Sequence, residues 1–191
     1  MSERIVNVNR EADYKGRHFR STLETQTAKT LDALGIPYQY EERKIELLEG
    51  FRSPVQKDKV RSVTYTPDFI IGPIILECKG FETPEWKLKR KLLFKWLQEN
   101  EPSALFYQIH DAGKSLLKVL DAHLTYLGYY LEVTSKPTKK IPSTTTKYES
   151  VQEAMEALGL NGKALGPILN SLIGKKEYVY GYSWRLKKIT L

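Results

Sequence analysis

The sequence predicts an α/β fold: a central mixed β-sheet flanked by helices, with a small helix-turn-helix-like module at the C-terminus. Three observations carry this expectation. Segments of helical and strand character follow one another in the order helix, strands, helix, strand, helix, strand. Two short apolar runs, Phe69-Ile70-Ile71 and Ile74-Ile75-Leu76, are separated only by Gly72-Pro73, which is turn chemistry. The stretch Thr134 to Lys147, TSKPTKKIPSTTTK, has two prolines, several Ser/Thr and one large apolar residue, the composition of a linker. The expected organisation is a flexible N-terminal segment over 1–16, an α/β core over 17–133, a linker over 134–147 and the small module over 148–191.

The first helix is expected over Arg17 to Leu34. Phe19, Leu23, Leu31 and Leu34 give it a core-facing side, and Gly35 stops it. Ile36 to Leu48 reads as one extended strand with Tyr38 and Tyr40 alternating, and 49–59 as a polar loop. Val60 to Tyr65 leads into the strand opened by Asp68. Thr83-Pro84-Glu85 is a helix start: an N-cap, proline at the first position, then an acid. That helix runs to about Asn100, with Leu88, Leu92, Leu93, Trp96 and Leu97 as its apolar stripe. A strand over Ala104 to His110, a helix over Lys114 to Leu127 and a strand over Tyr129 to Val133 complete the core. In the module, Ser150 caps a helix that Gly159 ends, with Glu153 completing a capping box. Leu165, Ile168, Leu169 and Leu172 mark a second helix ended by Gly174. Pro167 sits awkwardly in it, since proline removes a helical hydrogen bond. Tyr178 to Lys187 reads as a closing strand.

The chain has 191 residues, enough for one ordinary domain with a small module. It is 41% hydrophobic and 28% charged. No segment approaches the roughly 18 apolar residues that span a bilayer, and Met1 to Gly16 lacks a signal-peptide core. The expected compartment is the cytoplasm. The single cysteine excludes an internal disulfide and a cysteine-based zinc site. The net charge is +7, and residues 135–191 carry ten Lys+Arg against four Asp+Glu. So basic an end suits a polyanionic partner.

The chemistry is concentrated in Tyr65-Thr66-Pro67-Asp68-Phe69 and Glu77-Cys78-Lys79-Gly80. Strand side chains alternate faces, so Glu77 and Lys79 point one way and Cys78 the other. Paired as a hairpin, the two runs bring Asp68 and Glu77 to its open end. Two carboxylates there suit a hard divalent ion such as Mg²⁺, for which Mn²⁺ is expected to substitute. A neighbouring lysine can orient water and offset phosphate charge. These residues resemble the PD-(D/E)xK nuclease superfamily, whose fold is restriction-endonuclease-like. The string TPDF…ECKG is similar to phage endonuclease I junction resolvases and to the nuclease subunit of some transposases. The resemblance implies metal ligation by Asp68 and Glu77, a catalytic role for Lys79, and a product with a 5′-phosphate and a 3′-hydroxyl. Such nucleases place a glutamate on a first helix, and Phe19-Arg20-Ser21-Thr22-Leu23-Glu24 resembles that segment. Glu24 is therefore a candidate ligand and catalytic residue, and Glu41 or Glu42 could complete the shell instead.

Lys87, Lys91 and Lys95, with Arg90, form one basic face of the helix after the site. These residues, apart from Lys95, and Arg17 and Arg20 are candidate DNA contacts. The C-terminal segment resembles the modular DNA-binding elements of homing endonucleases, on Ser150-Val151-x-Glu153-Ala154 and Gly181-Tyr182-x-Trp184-Arg185. It adds Lys163, Lys175, Lys176, Arg185, Lys187 and Lys188 as candidate phosphate contacts, with Trp184 in the core. The three histidines lack metal-site spacing. The readings left open are an endonuclease cutting duplex DNA, a resolvase of four-way junctions, and a non-catalytic DNA-binding regulator on a nuclease scaffold. The expected partner is DNA and not a membrane. A double cut by one-site subunits suggests a homodimer.

Overall fold

The computed structural model describes residues 11–55 and 58–190. The fold is α/β, with mixed sheets and five α-helices among the described residues. Two compact units are distinguished. One comprises the described residues up to Ile36 together with those from Asp111 onward; the other is Pro37–His110.

The chain enters through a hairpin of β1 (Ala12–Tyr14) and β2 (Arg17–Phe19). Lys15 and Gly16, both at positive φ, make its two-residue turn. The helix expected from Arg17 therefore starts later, as α1 (Thr22–Leu34), because Ser21 accepts the Glu24 N–H and fixes the N-terminus there. The expected flexible segment 1–16 holds strand β1; its first ten residues lie outside the described ones. Leu23 is only half-buried, whereas Phe19, Ala28, Leu31 and Leu34 are core.

Pro37–His110 is the unit that carries Asp68, Glu77 and Lys79. The single strand expected over Ile36 to Leu48 is broken into β3 (Gln39–Tyr40) and β4 (Ile45–Leu48). Glu41 between them takes φ 50°, which no strand continues through. The expected loop contains a short hairpin, β5 (Phe51–Arg52) with β6 (Lys59–Val60). Next comes β7 (Val63–Tyr65), which pairs with β4. The expected hairpin forms: β8 (Phe69–Ile71) pairs antiparallel with β9 (Ile74–Cys78), and Ile71 faces Ile74 across Gly72-Pro73. Gly72, at φ 56°, takes the first turn position that favours glycine. Helix α2 (Pro84–Asn100), capped by Thr83, then crosses over to β10 (Leu105–Ile109), which lies parallel to β9. The sheet order is β10-β9-β8-β3, so β9 is an interior strand, and all five of its residues are buried. Ile45, Tyr65, Ile75, Trp86, Leu93 and Leu97 form one core cluster beneath α2. The stripe expected on α2 is thereby shifted: Trp86, Leu93 and Leu97 are buried, and Leu88 is 62% exposed.

The other unit resumes with α3 (Lys114–Asp121), shorter than expected, and β11 (Tyr129–Ser135). The linker expected over 134–147 is strand at both ends. Thr134 and Ser135 belong to β11, and Thr145 to Lys147 belong to β12 (Thr145–Tyr148), which pairs with β11. A run of β-branched threonines favours a pleated strand, and it outweighs the loop composition of the prolines between. Helices α4 (Val151–Ala157) and α5 (Leu165–Leu172) form close to the expected positions. Pro167 lies in the first turn of α5, where its missing N–H has no intrahelical acceptor to lose. The last strand, β13 (Tyr182–Lys188), completes a sheet of order β12-β11-β13, and Trp184 is fully buried, its Nε1–H donating to the Val179 carbonyl. No residue of α5 is fully exposed; it packs against α3 and β13. The open cations of this region thus lie outside α5. No helix among the described residues is long and apolar enough to cross a membrane.

Leu93→Ala is expected to destabilise the protein by about 2–5 kcal/mol through the cavity it leaves. Leu88→Ala is expected to change stability by no more than about 0.5 kcal/mol. Urea denaturation of both variants checks the observed facing of α2.

Candidate active site at the end of the central strand

The β8–β9 ladder positions the acids. Phe69 pairs with Leu76, so Asp68 stands one step further out, beside the end of β9. There its Oδ2 accepts the Cys78 N–H at 2.7 Å. On the other side of β9, Gln108 of β10 is the register partner of Glu77, and the Lys79 N–H donates to the Ile109 carbonyl at 2.9 Å. The end of β9 is therefore gripped from both flanks, which fixes where Glu77 and Lys79 project.

Glu77 is only 5% exposed, an expensive place for a carboxylate unless it is hydrogen-bonded. Its Oε2 accepts the Tyr65 hydroxyl at 2.8 Å, and Lys79 Nζ stands 3.3 Å from Oε1. Burial first, and then the charge of Glu77, push the Tyr65 phenol far above its ordinary range; the charge of Asp68 adds to this. Tyr65 thus stays a neutral donor, with both carboxylates acting on it. Lys79 is half-buried, and its ammonium lies 4.9 Å from the centroid of the Trp86 ring. Cation–π contact and ion pair hold it over the site. Cys78 is buried and points away from this face, as the alternation requires.

A supporting network lies beside the lysine. Gln108 Oε1 accepts the Trp86 indole N–H at 2.9 Å and an Arg90 N–H at 3.3 Å. Gln108 Nε2 donates to Glu82 Oε1 at 2.9 Å, and Arg90 forms an ion pair with Glu82. Arg90, expected among the DNA contacts, is held in this network. Lys87 and Lys91 are exposed on α2, and Lys95 lies 3.8 Å from Glu99.

Glu41 and Glu42 lie in this same unit, in the break between β3 and β4, and the remaining candidates lie in the other unit. Glu24 is buried near the start of α1, with Oε1 accepting the Ser21 hydroxyl at 2.6 Å and Oε2 the Arg20 N–H at 3.1 Å. It thus serves as the acid of a helix-capping arrangement. Arg17 and Arg20 are exposed, as are Lys163, Lys175, Lys176, Arg185, Lys187 and Lys188. Lys187 Nζ lies 4.0 Å from a Glu132 carboxylate oxygen.

Among the described residues no group of three His, Cys, Asp or Glu side chains gathers as a metal cage. Asp68 and Glu77 alone fit a different kind of site. Mg²⁺ is commonly held by one or two carboxylates and keeps its waters or takes substrate phosphate oxygens. Three residues of this region escaped sequence reasoning: Tyr65, Trp86 and Gln108. Two signals were present. Tyr65 directly precedes Thr66-Pro67-Asp68, and Gln108 is the one polar amide in the apolar strand Leu105–Ile109.

The family model for phage endonuclease I matches residues 5–109. The chain belongs to the phage endonuclease I family. Membership makes it a nuclease of phage type with DNA as its substrate. The matched stretch contains Glu24, Asp68, Glu77 and Lys79, whereas 110–191 falls outside it. No curated protein and no solved structure gives a significant match.

Tyr65→Phe is expected to leave the fold intact but destabilise it by about 1–3 kcal/mol, the cost of taking a hydroxyl donor from a buried carboxylate. Chemical denaturation of the variant against the parent measures this.

Proposed function

We propose that this member of the phage endonuclease I family is a Mg²⁺-dependent DNA endonuclease with a site of PD-(D/E)xK type on a restriction-endonuclease-like sheet. The supporting observation is the hairpin end that carries Asp68, Glu77 and Lys79, with the lysine already paired to the glutamate. Asp68 and Glu77 would hold Mg²⁺ or Mn²⁺. The bound cation supplies Lewis-acid stabilisation of phosphate charge and a more acidic water. Lys79 positions the attacking water and offsets negative charge on the phosphate. Tyr65 keeps the Glu77 carboxylate oriented, and the Trp86 ring keeps the lysine in place. The products are a 5′-phosphate and a 3′-hydroxyl, and the setting is the cytoplasm of a host cell.

The catalytic part corresponds to 17–133, and 148–191 acts as a DNA anchor of homing-endonuclease type. Its candidate contacts are Lys163, Lys175, Lys176, Arg185, Lys187 and Lys188, with Arg17, Arg20, Lys87 and Lys91 contributing from the matched stretch. Double-strand cutting by one-site subunits makes a homodimer the working assembly. Resolution of branched DNA is the second reading, favoured by the family match itself.

Asp68→Ala and Lys79→Ala are each expected to lower cutting by at least about 100-fold, with DNA affinity within a few-fold of the parent. Unchanged plasmid nicking by both variants rejects the site. Chelation with EDTA is expected to abolish cutting, and added Mg²⁺ or Mn²⁺ to restore it. Persistent activity in EDTA refutes the metal dependence. Cleavage of a synthetic four-way junction compared with its linear arms separates the two substrate readings.

A further inference from the structure

We propose that the outward face of the β12-β11-β13 sheet is a docking surface for the phosphate backbone of a DNA duplex. The inference rests on the reading above that this protein acts on DNA, and it assigns the anchoring to a sheet face in place of a helix.

The register defines the face. Directly opposed residues of antiparallel strands share a side of the sheet. Glu132 of β11 faces Lys147 of β12 and Arg185 of β13, and Tyr130 faces Lys187. Leu131, Val133 and Trp184 project from the opposite side and are buried. Lys147, Arg185 and Lys187 are all exposed. Three cations therefore surround one carboxylate, and that carboxylate is engaged within the face. Glu132 Oε1 accepts the Tyr130 hydroxyl at 3.2 Å, and Oε2 lies 4.0 Å from Lys187 Nζ. An excess of two positive charges remains for a partner.

Two features select the partner. Arg185 and Lys187 stand two residues apart on one strand, about 7 Å, so the charges form a row that suits a backbone of repeated phosphates. The one aromatic ring of the face is not open for stacking: Tyr130 is half-buried, and Lys147 Nζ lies 4.9 Å from its centroid. Single-stranded nucleic acid is typically held by exposed aromatic platforms. A face that offers cations and a covered ring favours the paired backbone instead. The sheet lies wholly outside the stretch matched by the family model.

The test uses the full-length protein carrying Lys79→Ala, so that DNA binds without being cut. Binding of a labelled linear duplex and of a single strand of equal length is measured over a salt series. Adding Lys147→Ala, Arg185→Ala and Lys187→Ala together is expected to weaken duplex binding by roughly tenfold or more. The slope of log affinity against log salt should become shallower by about one for each cation removed. Adding Glu132→Gln instead is expected to tighten binding a few-fold, a gain that misfolding cannot produce. Parental affinity and slope in the triple variant, or no gain from Glu132→Gln, overturns this surface alone. Loss confined to the single strand overturns the duplex assignment. No DNA binding by the Lys79→Ala parent overturns this surface and the anchoring reading together, while plasmid cutting by the unmodified protein reports separately on the nuclease reading.

Discussion

A carboxylate buried at the end of an interior strand is the constraint around which Pro37–His110 is organised. Glu77 has almost no contact with water, so its charge must be met by protein groups. Tyr65 supplies a hydroxyl from a neighbouring strand pair, and Lys79 supplies an ammonium two residues along the same strand. Each of these needs its own support. Tyr65 packs against Trp86, with ring centroids 5.7 Å apart, and the same indole carries the lysine. Trp86 is in turn bonded to Gln108, the register partner of Glu77. The circuit closes on itself, so sheet register, helix placement and site electrostatics are parts of one arrangement.

The hairpin was legible because its signals are local. Two apolar runs and a Gly-Pro turn fix pairing and register, and register carries Asp68 to the end of β9. Elements whose limits depend on tertiary contacts were harder to read. The start of α1 depends on the Ser21 cap, and the residues before it, helical in pattern, turn back on β1. Leu88 matches the helical period of α2 yet faces outward, since the position of the sheet beneath decides which side of a helix is covered. Tyr65 lies on β7, Trp86 on α2 and Gln108 on β10, and it is tertiary packing of these separate elements that brings them to Glu77 and Lys79.

The C-terminal third shows composition misleading for a physical reason. Proline, lysine and threonine together read as a linker, but the threonines at its end belong to β12 and the first two residues belong to β11. Strand β11 bonds to partners on both edges, so what looked like a tethered module is one side of a continuous sheet. Arg185, Lys187 and Lys188 are thereby displayed on a strand, and α5, which carries no Lys or Arg, is consumed by packing.

The division of the chain has a temporal consequence. Pro37–His110 is contiguous, whereas the other unit needs residues from both ends of the sequence, down to the strand at Tyr182–Lys188. During vectorial synthesis the contiguous piece has all its partners once it clears the ribosome. The discontinuous piece must wait for the last strand to be made. The segment bearing the acids and the lysine can therefore mature first, and the element that closes the other unit arrives last.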